Sequence, residues 1–278
     1  MGKCSLIITA FLIFALVGGA AQAAQNMEDE IRDILKNHPE IVIEALRKEK
    51  ASLLGLLEEA ARERQQAEET KRLEEERKNP LKPVVEPGRL FLGKAGAPVL
   101  VVEYSDFFCH YCAAGAGIMK ELLASRGDVV QVVFKHFATD PLSRRAALVF
   151  EALGLQKPEM AWAFHDKVFA DQEKMAAGGE AALRELALSL GADAKRLDAD
   201  VKRPELEKRV KDDTEEARGF KFRGTPTFVV GGISIRGAAP VGVFEDAVNQ
   251  SLDKGKAPAD KGARSEAKKD CEDCREIK

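Results

Sequence analysis

The sequence predicts an α/β protein: a small buried sheet with a long helical insertion, preceded by a long helical arm. Three observations predict it. Val99 to Val102 and Val129 to Phe134 are nearly continuous apolar runs rich in β-branched residues, the pattern of strands covered on both faces. From Pro141 to about Gly219 the pattern is helical. Residues 25–79 are helical in pattern before the first strand is reached.

Composition sets the outer bounds. The chain has 278 residues, 45% hydrophobic and 32% charged, enough for one good-sized core with additions. The formal net charge is −3 and there is no long basic patch, so no nucleic-acid partner is expected. Residues 1–23 read as a signal peptide. Met1-Gly2-Lys3 gives a positive start, Ser5 to Val17 an apolar run, and Ala21-Gln22-Ala23 a small-x-small site with cleavage after Ala23. The alternative is an uncleaved anchor, for which the run falls short of the roughly 20 apolar residues a span needs.

In the arm, 25–79, Ile31, Ile34 and Leu35 recur at helical spacing, and Pro39 interrupts. Ile43, Leu46, Leu53, Leu57 and Ala60 then fit a and d heptad positions, with Ala67 one heptad further. Lys50 and Arg64 fall on the same seam and weaken it, and Glu58 to Lys78 is mostly charged. Such an arm cannot build its own core. Self-association is the favoured expectation, and a solvated fraying helix is the alternative.

Asn79-Pro80-Leu81-Lys82-Pro83 stops the helix, and 80–88 is expected to be a linker. The domain that follows spans 89–254. Its elements are a strand over Pro98 to Tyr104, a helix over Ala113 to Ser125, a strand over Val129 to Phe134 and the insertion, about 141–219. Thr227 to Val230 and Ile233 to Ile235 then make a hairpin around Gly231-Gly232, and Val241 to Leu252 a last amphipathic helix. That order describes a thioredoxin fold with a helical insertion. Residues 255–278 read as a flexible tail.

Of five cysteines, Cys4 lies in the leader and the others form two C-x-x-C pairs, Cys109/Cys112 and Cys271/Cys274. Asp106-Phe107-Phe108 leads off the strand, so Cys109 falls where a helix begins. Free N–H groups and the positive end of the helix dipole there stabilise a thiolate, the attacking species in disulfide exchange. Cys112 lies about one turn further on and can resolve a mixed disulfide. His110, if protonated, adds positive charge beside the sulfur; otherwise it is a solvent-facing spacer. A zinc site shared with Cys271/Cys274 is the alternative, which the strand, C-x-x-C, helix context disfavours. No metal ligands and no cofactor are assigned. Gly224-Thr225-Pro226-Thr227 opens the late strand. A cis Thr225-Pro226 bond there would set the Thr225 backbone beside the cysteines, where an extended substrate can add as a strand; an ordinary trans turn would not.

Glu103-Tyr104-Ser105-Asp106-Phe107-Phe108-Cys109-His110-Tyr111-Cys112, with Gly224-Thr225-Pro226-Thr227 near the end, resembles the DsbA family of periplasmic disulfide oxidoreductases. The resemblance covers about Leu90 to Leu252 and includes Trp162-Ala163-Phe164-His165 in the insertion. Ile31-Arg32-Asp33-Ile34-Leu35-Lys36-Asn37-His38-Pro39-Glu40 is similar to the arm of the suppressor-of-copper-sensitivity C branch, which trimerises. The resemblance implies Cys109 as nucleophile, Cys112 as its buried partner, a cis bond at Thr225-Pro226 and Glu103 as a buried proton-relaying acid. The alternative for Glu103 is a carboxylate at the strand end, on the surface. Histidine is the first residue between the cysteines here and the second in the founding member; Tyr111 matches the isomerase-like and copper-linked relatives better. The implied partners are exported cysteine-containing proteins, a membrane redox partner and copies of the chain itself, in the periplasm.

Cys271-Glu272-Asp273-Cys274 is outside that pattern. It reads as a local disulfide, as a thiol pair exchanging with Cys109/Cys112, or as a Cu(I) ligand pair. Two functions are therefore expected: a dithiol enzyme, as isomerase, reductase or oxidase, or a copper-binding thiol carrier.

Overall fold

The computed structural model describes residues 26–256, apart from Glu28. The expected signal peptide and the pair Cys271/Cys274 lie outside the described residues. Among the described residues no helix is long and apolar enough to cross a membrane.

The chain divides into two units, Met1–Thr70 and Lys71–Lys278. The first holds helix α1, residues 29–37, helix α2, Pro39–Lys48, and the start of helix α3, Lys50–Lys78. Pro39 opens α2 at its first turn, where the missing N–H costs nothing. The heptad run of the sequence is divided at Glu49, whose backbone (φ −97°, ψ 21°) leaves the helical region. Every described residue from 26 to 70 is exposed, Ile31, Ile34, Leu35, Ile43, Leu46, Leu53 and Leu57 included.

The second unit carries a five-stranded sheet ordered β1-β3-β2-β4-β5. Its strands are β1, Phe91–Gly93; β2, Val99–Ser105; β3, Val130–His136; β4, Thr227–Val230; and β5, Ile233–Arg236. β2 and β3 pair in parallel through α4, His110–Arg126; the other pairings are antiparallel. The insertion folds as α5, Pro141–Gln156; α6, Pro158–Ala170; α7, Gln172–Ser189; α8, Ala194–Asp200; and α9, Pro204–Gly219. Helix α10, Val241–Lys256, is the last element of the described residues. The fold class is thus the expected one, a thioredoxin sheet with a helical insertion.

Strand β1 is not legible in the sequence. It has only three residues, it does not alternate, and it ends on Gly93 at φ +89°. Strand β3 runs two residues past the expected end at Phe134, through Lys135 and His136, both 1% exposed. Buried partners make this possible: Lys135 Nζ donates to the Val84 carbonyl at 2.8 Å and pairs with Asp213 and Glu216, and His136 Nε2 pairs with Glu151 Oε1 at 3.0 Å.

Three packed clusters hold the sheet. α4 and α10 cover one face, where Met119, Leu122, Phe244 and Val248 meet Val99, Val101, Val132 and Phe228. On the other, Val102, Tyr104 and Val133 pack with Ala217 and Phe222. The insertion builds the third around Phe107, Phe134, Phe150 and Phe164. Each such large side chain contributes about 1.5–3 kcal/mol by leaving water.

The stretch expected as a linker, 80–88, is bonded to the core. Val84 N–H donates to Glu216 at 2.7 Å, Leu81 N–H to the Gly232 carbonyl at 2.9 Å, and the next residue, Arg89, forms a buried two-point pair with Asp213. The last turns of α3 seal the free edge of β5. Glu76 is buried there and accepts from the backbone N–H and hydroxyl of Ser234, each at 2.7 Å, and from Arg72.

Candidate active site

Strand β2 ends at Ser105, and a short turn, closed by Cys109 N–H on the Asp106 carbonyl at 3.2 Å, delivers Cys109 to the N-cap of α4. The Asp106 carboxylate braces this turn, accepting from Phe108 N–H at 2.8 Å and from the Ser143 hydroxyl of α5 at 2.6 Å. Phe107 points into the insertion, its ring stacked on Phe169 at 5.4 Å and near those of Phe134 and Phe164. His165, from the stretch Trp162 to His165, belongs to the same aromatic cluster.

Cys109 and Cys112 are both free thiols, Cys109 half-buried and Cys112 fully buried. The two are unlike. A hydrogen bond from Cys112, opposed by partial burial, then Thr225 and the backbone N–H groups of Cys112 and Tyr111, pull the Cys109 thiol down to about 5 from an ordinary 9.0. Burial first, and its bond to Cys109 second, push Cys112 up. Such an asymmetry, one thiol pulled down and one pushed up, suits a nucleophile paired with a resolving thiol.

The Thr225–Pro226 peptide bond is cis. Cys109 Sγ donates to the Thr225 carbonyl at 3.3 Å, across 116 residues of chain. Gly115, one turn after Cys112, lets α4 come this close: a Cβ there would sit 3.1 Å from the Pro226 ring. A pocket of about 310 Å³ opens beside the sulfur, lined by Cys109, Asp106, Thr139, Asp140, Arg223 and Thr225.

The remaining sequence candidates fall around this centre. Glu103 is 2% exposed, not a surface carboxylate, and burial raises its pKa from 4.5 to about 7. It shares a face of β2 with Val101 and Ser105 by strand alternation. The Ser105 side chain acts on both Glu103 and Cys112, lowering the pKa of each, although Glu103 Oε1 and Ser105 Oγ make no hydrogen bond of good geometry. His110 and Tyr111 are exposed on the first turn of α4, their rings edge to face at 5.8 Å. The leading contributions to the Cys109 thiolate come from Cys112, Thr225 and the helix backbone rather than from His110. Among the described residues no group of three or more His, Cys, Asp or Glu side chains is placed to hold a metal ion.

Sequence reasoning misses Gln172 altogether. It opens α7, and its amide nitrogen donates to the carbonyls of Phe107 at 2.8 Å and Cys109 at 2.9 Å. A glutamine 63 residues along the chain from Cys109 carries no local signal.

A C-x-x-C at a helix N-terminus, faced by a cis-proline loop on a thioredoxin sheet, defines the class of thioredoxin-like dithiol proteins. The profile of the DsbA-like thioredoxin domain matches residues 100–249, more than half of the chain, and the chain belongs to that family. Among solved structures it is similar to a thioredoxin-like oxidoreductase from Silicibacter pomeroyi, at 25% identity over 60% of this chain and 94% of that one, with a TM-score of 0.55. It is equally similar to oxidised BdbD from Bacillus subtilis, at 25% identity over 63% and 97%, with a TM-score of 0.54. A linker-deletion variant of ScsC from Proteus mirabilis shares the fold at 21% identity over 76% and 95%, with a TM-score of 0.51. Among curated proteins, the Na(+)/H(+) antiporter NhaA 1 of Mycolicibacterium vanbaalenii is 32% identical over 159 residues, 55% of this chain. NhaA of Herminiimonas arsenicoxydans is 35% identical over 146 residues, 52% of this chain. The chain spans about a quarter of the length of these curated relatives, 25% and 23%.

Proposed function

We propose that the protein is a thiol–disulfide oxidoreductase of the periplasm that acts on exported cysteine-containing proteins, working as an isomerase or reductase. The observation that carries this reading is the asymmetric dithiol: a half-exposed sulfur with a depressed pKa against the Thr225 carbonyl, and a buried partner one turn behind it. The Cys109 thiolate attacks a substrate disulfide, a Cys109–substrate disulfide forms, and the substrate's other sulfur leaves as thiolate. In isomerisation a different substrate thiolate then displaces Cys109, with no net redox change. In reduction Cys112 loses its proton and attacks the Cys109 sulfur, giving the Cys109–Cys112 disulfide and a reduced substrate. The proton passes to Glu103, whose raised pKa suits an acceptor near neutrality. A membrane dithiol partner supplies the two electrons that restore the reduced pair. Thr225 and Pro226 bind the substrate segment as an added strand, and Tyr111 lies exposed for contact.

The exposed apolar residues of the arm support assembly into an oligomer, a trimer by the resemblance to the suppressor-of-copper-sensitivity C branch, and several exchange sites in one assembly favour reshuffling. The test is refolding of scrambled substrate by the reduced protein. Catalysed recovery is expected, with complete loss in Cys109→Ser and a trapped mixed disulfide in Cys112→Ser. Dithiol oxidation without reshuffling would make the protein an oxidase of monomeric type instead. Cys109→Ser acting at the original rate would end the enzymatic reading and leave the copper-binding thiol carrier.

A further inference from the structure

Gln172 lies at the first position of α7, immediately after the residue that closes α6. Its Nε2 uses both hydrogens, one on the Phe107 carbonyl at 2.8 Å and one on the Cys109 carbonyl at 2.9 Å. The Cys109 carbonyl is also the first acceptor of α4, taking Cys112 N–H at 3.0 Å. One side chain of the insertion thus ties together a residue inside the exchange turn, Phe107, and the residue that caps the helix, Cys109. Phe107 is held from the same quarter by its ring, stacked on Phe169 of α6 at 5.4 Å. The turn that presents the sulfur is therefore fixed by ring packing on α6 and by an amide fork from α7.

We propose that Gln172 is a positioning residue of the exchange site: its amide locks the backbone turn that presents Cys109 and keeps the sulfur at the N–H groups of the first turn of α4. The inference rests on the thiol-exchange reading. With the fork in place, the Cys109 sulfur stays where the Tyr111 and Cys112 N–H groups stabilise its charge, contributions already visible in its lowered pKa. Without it, the two carbonyls turn to water, the cap loosens and the thiolate loses part of that support. The insertion then does more than cover the sheet; it sets the reactivity of a sulfur that belongs to the thioredoxin core.

The experiment compares Q172M with the wild type in the full-length reduced protein. Methionine keeps the length and volume of the side chain and removes both donors. The readouts are the ultraviolet absorbance of the thiolate against pH and the equilibrium with glutathione. An upward shift of about half a pH unit is expected, a ~3-fold rise in proton affinity, with a disulfide about threefold less oxidising. Q172E, which sets a carboxylate against the same two carbonyls, should shift it further, and Q172A provides the same comparison if Q172M fails to fold. A folded variant with the wild-type titration and equilibrium would overturn the assignment of Gln172 alone. A wild type whose thiolate appears only near the ordinary cysteine range would overturn both that assignment and the exchange reading.

Discussion

The chemistry of this site lives in the difference between two sulfurs three residues apart. Cys109 titrates at about 5 in the folded reduced protein against 9.0 for an ordinary thiol. Its folded pKa is depressed, so its contribution to the stability of the reduced form is complete above pH 9.0, shrinks as pH falls and is gone below about pH 5. Alkylation of Cys109 should accordingly stay fast down to about pH 5 and collapse beneath it. Glu103 behaves in the opposite sense. Its folded pKa of about 7 lies above the ordinary 4.5, so the folded state loses stability as pH rises between those values, by about 3 kcal/mol in all. Glu103→Gln should flatten the pH dependence of urea unfolding across that window; an unchanged slope would show that Glu103 is not the group responsible. Both cysteines and Glu103 are legible in the sequence because strand, turn and helix order them within ten residues. Gln172 is not, because only the tertiary fold brings α7 to the exchange turn.

At the scale of elements, the sequence hides the places where charged residues are buried in pairs. Lys135 and His136 read as the end of a strand, yet β3 runs on through both because Asp213, Glu216 and Glu151 meet them. Sequence pattern counts apolar residues and has no access to partners that lie far along the chain. The stretch 80–88 is misleading for the same reason: its prolines suggest a free connector, while Lys135, Glu216 and Gly232 hold its backbone. Asp213→Ala should cost about 3–5 kcal/mol in urea unfolding, since it leaves both Arg89 and Lys135 buried with one carboxylate fewer. The edge of β5 poses a related problem, an exposed row of backbone donors, and Glu76 answers it from the end of α3. Glu76→Ala should cost about 2 kcal/mol by leaving the Ser234 N–H and hydroxyl without their acceptor. The turn that leads into this strand tolerates no side chain at Gly232, where φ is +83° and a Cβ would come 2.5 Å from Pro80.

For the whole molecule, the open choice between a reshuffling enzyme and a simple oxidase turns on assembly, and the structure says where to cut. A deletion of residues 25–79, the arm as the sequence delimits it, would also remove Arg72 and Glu76, which belong to the second unit and seal β5. Loss of activity in that deletion would then report a damaged sheet edge as readily as a lost oligomer. Removal of residues 26–70 avoids this, because every described residue in that span is exposed and the contacts of Glu76 are kept. The residues removed include Ile31, Ile34, Leu35, Ile41, Val42, Ile43, Leu46, Leu53, Leu54 and Leu57, all exposed in the single chain. An exposed apolar series of this size on helices needs a partner surface, and heptad spacing from Leu53 to Ala60 suits a second helix of the same kind. Sedimentation of the intact protein should therefore give an oligomer, and the protein lacking 26–70 a folded monomer with the same Cys109 titration. That monomer should still exchange small disulfides while losing the recovery of scrambled substrate. An intact protein that sediments as a monomer would end the oligomer proposal, and a monomeric variant that reshuffles as well as the parent would separate assembly from isomerisation.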